Sequence, residues 1–269
     1  MKLLVIDDLF STNLQVTHAV QDWQDCLTTW VQYPENLKSA LARETFDLAF
    51  VDLHYGRRKA TGLTAQHVIS DASPSTRTVV YSNEQEDNRI LLLLASYYYF
   101  EPFAVLSKSA PDEEIRVVVD AARSGRRAPA SAAGGAYDDA ALLIGQLLKR
   151  ESDLRIWRAL TQYSERSAIA SKSGFHVGTV SKFADEKFPV IEDIRFRFLG
   201  LEHEAVRAIV QKVEKDKRAP RLAPLHAFAM IQAEFFNDPE LDELLTGPRE
   251  MEVAGDARRR GRFGRRHGR

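Results

Sequence analysis

Along its first half the chain alternates short apolar runs with amphipathic stretches. The runs predict strands over Leu3–Asp7, Cys26–Val31, Leu48–Leu53, Thr78–Ser82 and Phe103–Ser107. Helical spacing between them predicts helices over Ser11–Trp23, Glu35–Arg43, Thr64–Ser70, Glu84–Tyr99 and Pro111–Arg123. The strands are apolar on both faces, the pattern of a parallel sheet covered by helices on each side. Pro111 is expected in the first turn of the last helix, where Asp112, Glu113 and Glu114 complement the helix dipole.

Past residue 125 the pattern changes. Residues 126–137 read RRAPASAAGGAY, small residues with Pro and paired Gly, and are expected to form a flexible linker. Strand patterns then vanish, and apolar residues recur at helical spacing through Ala141–Leu160, Leu201–Val213 and His226–Phe236. The predicted organisation is an α/β domain over 1–125, the linker at 126–137, an all-α domain over 138–250 and a disordered tail over 251–269.

Composition narrows the class. The 269 residues carry 37 Lys+Arg against 38 Asp+Glu and are 44% hydrophobic, too apolar for a disordered chain. The single cysteine, Cys26, excludes an intramolecular disulfide framework and any multi-cysteine zinc site. No run approaches a membrane span, and the apolar start stops at Asp7-Asp8, short of a signal peptide. These features predict a cytoplasmic protein with no membrane partner. The near-neutral total hides an asymmetry: residues 1–125 hold 11 Lys+Arg against 17 Asp+Glu, whereas the last 14 residues hold seven arginines and one aspartate. Such a tail is either a solvated extension or a contact for a polyanion.

Candidate chemistry gathers at the predicted strand ends, where open α/β sheets bind ligands. Asp7 and Asp8 end the first strand, Asp52 the third, Ser82 the fourth and Lys108 the fifth. Three carboxylates brought together repel unless a cation holds them, and hard oxygen ligands suit Mg²⁺. A lysine and a hydroxyl alongside could take the oxygens of a phosphoryl group, with an aspartate as nucleophile.

The stretches LLVIDD (3–8), FDLAFVDLHYG (46–56), TVVYSN (78–83) and VLSKS (105–109) resemble the receiver domain of two-component response regulators. The resemblance implies a flavodoxin-like fold with strand order 2-1-3-4-5. It also implies Asp52 as phosphate acceptor, Asp7, Asp8 and Asp52 as Mg²⁺ ligands, Ser82 as switch hydroxyl and Lys108 as phosphate partner. The chain departs from that family at Asn83, where a small residue is usual, at Val105, commonly Tyr or Phe, and at Ser109, generally Pro. The loop after Asp52 is unusually basic, with Arg57, Arg58 and Lys59.

Residues 152–188 have a second recognisable form. Ile156, Leu160 and Tyr163 suit the inner face of a first helix, Ile169 and Ala170 that of a second, and Val180 and Phe183 that of a third. Gly174 supplies the tight turn between the last two. This is the helix-turn-helix plan, and the segment is similar to that of LuxR-type regulators. By that resemblance His176, Gly178, Thr179, Ser181, Lys182 and Glu186 lie near the exposed face of the recognition helix, and Lys172, Lys182 and Lys187 contact phosphates. The stripes at 204–215 and 226–236 suit either a core or a dimer contact.

The expected function is that of a response regulator, phosphorylated on Asp52 by a cognate histidine kinase, binding double-stranded DNA and acting as a homodimer. Two alternatives stand beside it: an atypical, phosphorylation-independent receiver that binds DNA constitutively, and a signalling adaptor or RNA-binding output. No enzymatic output is expected, because the second half has no Gly-rich phosphate loop or nucleophile elbow.

Overall fold

The structure, a computed structural model, describes residues 1–56, 58–83, 89–129, 135–199 and 221–246. Arg57, the beginning of the predicted helix at Glu84, the stripe at 204–215 and the predicted tail at 251–269 lie outside the described residues.

Five strands form one parallel sheet: β1 (Lys2–Ile6), β2 (Leu27–Val31), β3 (Leu48–Val51), β4 (Arg77–Ser82) and β5 (Ala104–Ser107), in the order β2-β1-β3-β4-β5. This is the expected fold class and strand order. Each strand sits within two residues of its predicted span. The register decides where the functional residues emerge. Ile6 pairs with both Val31 and Val51, so the next residues, Asp7 and Asp52, leave the sheet side by side. Ser82 pairs with Ser107, which sets Lys108 beside them.

The sheet is covered by α1 (Phe10–Ala19), α2 (Leu37–Leu41), α3 (Gly62–Ala72), α4 (Ile90–Phe100) and α5 (Asp112–Arg123). Pro111 is the residue before α5, in extended conformation, not part of its first turn. The predicted helix at 35–43 is a 3₁₀ turn over Pro34–Asn36 followed by the short α2.

The second half is helical. Its elements are α6 (Gly135–Ala140), α7 (Leu142–Leu147), α8 (Glu151–Leu160), α9 (Arg166–Ser173), α10 (Val177–Ile194), α11 (Leu222–Ile231), α12 (Ala233–Phe236) and α13 (Glu240–Thr246). Two predicted helices are each divided: 141–160 breaks between α7 and α8, and 226–236 breaks at Gln232. Residues 135–137, read as linker, are helical in α6. The reason is a partner: the Tyr137 ring stacks on Tyr97 of α4 and on Phe198. At the centre of the helical half, Trp157 is fully buried, stacked 4.6 Å from Phe236 and edge-on to Phe183, with its indole N–H donating to Leu147 O at 3.1 Å.

The two halves share one hydrophobic core. Helix α4 reads ILLLLASYYYF, and Ile90 to Tyr97 are all buried. A helix without a polar face cannot lie on a surface. One side packs on the sheet and α3, and α6 and α7 cover the other.

A row of polar contacts from residues 232–240 fastens the helical half to the loop after β3 and to the starts of α3 and α4. His54 Nδ1 meets Glu234 Oε1 at 2.7 Å, Thr61 Oγ1 donates to Asp238, His67 pairs with Glu240, and Leu91 N donates to Gln232 Oε1 at 3.4 Å. Thr61 also caps α3, its hydroxyl accepting from Leu63 N. Burial pushes the Asp238 carboxyl up to about 6, against the hydrogen bonds from Thr61 and Glu240 N. Its bond to Glu234 holds His54 above the ordinary histidine value.

Both groups bind protons more tightly in the folded state, so both contribute stability that is lost as pH rises. For Asp238 the loss falls between about pH 4 and 6, and for His54 it begins near 6.5 and runs through its raised value. The urea midpoint should therefore fall from pH 5 to pH 8. Asp238→Asn, which still accepts from Thr61 but gives up the bond from Glu240 N, should flatten the acidic part of that slope and exceed wild type at pH 8 by on the order of 2 kcal/mol. Equal pH slopes in the two proteins would contradict this assignment.

Candidate functional site: a carboxylate pocket and an exposed helix-turn-helix

The strand ends bring the predicted residues together. Asp7 and Asp52 are buried and Asp8 is half-buried, and their ligand oxygens lie within 4.8 Å of one another. Lys108 Nζ bridges two of them, 2.7 Å from Asp7 Oδ2 and 2.7 Å from Asp52 Oδ2. The other oxygens are held by the backbone: Leu9 N donates to Asp7 Oδ1 at 2.8 Å, and Leu53 N donates to Asp52 Oδ1 at 2.7 Å. Ser82 is buried beside them. Among the departures from the receiver pattern, Asn83 is exposed, and Val105 is buried in the core that runs through α4.

The electrostatics follow from the crowding. Burial pushes the Asp7 carboxyl above its ordinary value, and the charge on Asp52 adds to this, outweighing Lys108. Burial pulls the Lys108 ammonium down, but Asp52 and Asp7 together hold it above its ordinary value. The pocket is thus a site short of positive charge. Three hard carboxylate oxygens facing one space fit Mg²⁺, and Asp7, Asp8 and Asp52 are the residues that would hold it.

Close packing sets the position of Asp52. Gly62 opens α3 directly against β3, and a Cβ there would lie 2.5 Å from the Asp52 carbonyl oxygen. A side chain at 62 would displace the loop that carries Asp52.

Sequence reasoning missed a second cation. Arg89, the residue preceding α4, is buried, donates from Nη1 to Ser82 Oγ at 3.1 Å and places the same nitrogen 4.0 Å from Asp52 Oδ1. It follows the polar run EQEDN at 84–88, where nothing in the spacing marks one arginine as pointing inward.

The second constellation is a helix-turn-helix. Helices α8, α9 and α10 pack on one another, and Gly174 ends α9 in the left-handed conformation at φ 76°. Ile156, Leu160, Ile169, Ala170, Val180 and Phe183 are buried, as the spacing predicts. On the outer face His176, Gly178, Thr179, Lys182 and Lys172 are exposed, and Ser181 is half-buried. Arg155 is exposed beside the turn, its guanidinium 4.9 Å from the Phe175 ring, and joins this basic edge although sequence reading passed it over.

Lys187 requires a correction. It was expected to contact DNA phosphates, but its side chain is wholly buried, 2.8 Å from Asp153 Oδ2, with its ammonium donating to Gln146 O at 2.7 Å. A buried lysine is held by a paired carboxylate and hydrogen bonds. Here they tie α10 to α8 and α7, and leave nothing for a ligand.

No family model matches the chain, and no curated protein matches it. Solved structures do. A DNA complex of the two-component response regulator RcsB aligns over 86% of this chain and 98% of its own, at 14% identity and a TM-score of 0.50. Two RcsB dimers bound to two parallel DNAs align with the same coverage and identity at a TM-score of 0.48. RcsB from Salmonella enterica serovar Typhimurium, bound to promoter P1flhDC with the phosphomimetic BeF3⁻, covers 80% of this chain at 16% identity and a TM-score of 0.43. At 14% identity the likeness to the first of these establishes the fold alone: a five-stranded parallel α/β domain followed by a helical domain. Among the described residues no helix is long and apolar enough to cross a membrane.

Replacing Lys108 by Met should leave Asp7 and Asp52 facing each other without their bridge. In metal-free buffer the loss should be about 3 kcal/mol, the scale for breaking a buried pair. Millimolar Mg²⁺ should recover most of it in the variant and far less in wild type, as read by urea denaturation. A deficit that Mg²⁺ leaves unchanged would mean that the carboxylates do not hold the metal.

Proposed function

We propose that the chain is a response regulator that accepts a phosphoryl group on Asp52 and binds double-stranded DNA through α9 and α10. The observation that carries this reading is the convergence of Asp7, Asp8, Asp52, Ser82 and Lys108 at one sheet edge, in a chain whose helix-turn-helix presents an open outer face. In the reaction a carboxylate oxygen of Asp52 forms the bond to phosphorus while the P–N bond of a phosphohistidine donor breaks. The imidazole leaves with that electron pair and takes up a proton. Such a donor makes a histidine kinase the partner. Lys108 would take the charge that develops on the phosphoryl oxygens, and Ser82 would donate to one of them. Mg²⁺ bound by the carboxylates supplies further positive charge at those oxygens.

On the output side, His176 just before α10 and Thr179, Ser181 and Lys182 on it would face base edges, and Lys172 and Lys182 would meet phosphates. The protein acts as a homodimer in the cytoplasm, and its output is binding, not catalysis. A receiver held in one state is the second reading. It draws on the Lys108 bridge and on Arg89, which offset part of the carboxylate charge.

The test is addition of Mg²⁺ with beryllofluoride to the full chain, with mass followed by light scattering. Wild type should shift from monomer to dimer and Asp52→Asn should not. The shifted form should select duplexes from a random pool. Lys182→Ala should weaken binding on all selected duplexes and lower the salt slope by about one. An unchanged mass together with duplex binding that ignores beryllofluoride would favour the locked receiver.

A further inference from the structure

The pocket holds a cation that the receiver reading does not use. Arg89 stands at the junction of the carboxylate pocket and α4, with one terminal nitrogen shared between Ser82 Oγ at 3.1 Å and Asp52 Oδ1 at 4.0 Å. The second distance is too long for a hydrogen bond. It is short enough that any group bonded to that carboxylate brings its outer oxygens to the guanidinium. Arginine suits this place, since its planar fork binds phosphate oxygens in pairs and keeps its charge when buried.

Charge counting points the same way. Among the described residues, the pocket sets three carboxylates against Lys108 and Arg89. Binding Mg²⁺ and replacing the Asp52 carboxylate by an acyl phosphate, which carries about two negative charges like other phosphoryl groups, brings the sum to zero. Without Arg89 the loaded pocket keeps one negative charge in a buried site, where uncompensated charge is costly.

Arg89 is also mechanically connected. It is the residue before α4, and two positions later Leu91 N donates to Gln232 Oε1 in the helical half. Gln232 is wholly buried at the break between α11 and α12. A guanidinium drawn onto a phosphoryl group therefore pulls on the first turn of α4, at the point where that turn is held by the output domain.

We propose that Arg89 is a phosphoryl-binding residue of this pocket, a second cation that completes the charge balance of phosphorylated Asp52 and links its state to α4 and Gln232. The assignment rests on the receiver reading given above. The test uses the full chain, Mg²⁺ and beryllofluoride, with wild type, Asp52→Asn, Arg89→Gln and Arg89→Lys. Arg89→Gln should weaken beryllofluoride binding at least tenfold while binding Mg²⁺ alone as tightly as wild type or more tightly, because a competing positive charge is gone. Arg89→Lys should restore much of the beryllofluoride affinity. A merely structural arginine would lower both affinities together. In wild type, beryllofluoride should also change hydrogen exchange over residues 232–238, and in Arg89→Gln saturated with the anion that change should be lost. Wild-type beryllofluoride affinity in Arg89→Gln would overturn the assignment of Arg89 while leaving the receiver reading intact. Failure of wild type itself to bind would overturn the receiver reading and the role of Arg89 with it.

Discussion

The burial of α4 on every side is the constraint from which the rest of the structure follows. Four consecutive leucines and an aromatic end leave Ile90–Phe100 without a polar face. Each buried leucine is worth about 1.5–3 kcal/mol relative to exposure to water. The sheet can cover only one side, so the other must be closed by α6 and α7. The helical half is therefore seated on the α/β domain through a shared apolar core, instead of hanging from it by a linker. The polar row at 54, 61, 67 and 91 against 232–240 sits around that seat and fixes its orientation.

That seating puts the carboxylate pocket and the helix-turn-helix in one mechanical unit. Asp52, His54 and Thr61 lie on the segment between β3 and α3. Asp52 faces the carboxylate pocket, while His54 and Thr61 face the helical half. Arg89 repeats the arrangement from the other side, touching Ser82 and leading into α4. A change of charge in the pocket thus has two short routes to the helical domain, each of named contacts. The outer face of α10 stays exposed in this arrangement, so the docked form leaves that face accessible.

Much of this was legible in the sequence. Alternation of apolar runs and amphipathic stretches located five strands, and the polar residues at the ends of four of them marked the pocket, because a parallel register puts strand ends at one edge. Helical spacing likewise separated the inner from the outer face of α8–α10. What escaped depended on contacts distant in the chain. Lys187 looks like a surface lysine until Asp153, a full helix-turn-helix away, is seen to pair with it. Arg89 lies in a polar run with no periodicity to orient it. Residues 135–137 have linker composition but become helical where Tyr137 finds Tyr97. Glu234, Asp238 and Glu240 read as an ordinary solvated face, since only the docked α/β domain gives them partners. The run ILLLLA did carry a signal: a helix with no polar side requires cover on all sides.

The central claim is that the two halves unfold as one unit because they share the core around α4. Native-state hydrogen exchange in increasing urea tests it most directly, comparing peptides from β3 and β4, from α4, and from α7 and α8. The account predicts that all three groups merge into the same opening reaction, with the same free energy and the same urea dependence. Exchange of α7 and α8 through a separate, lower-energy opening that leaves α4 protected would contradict it.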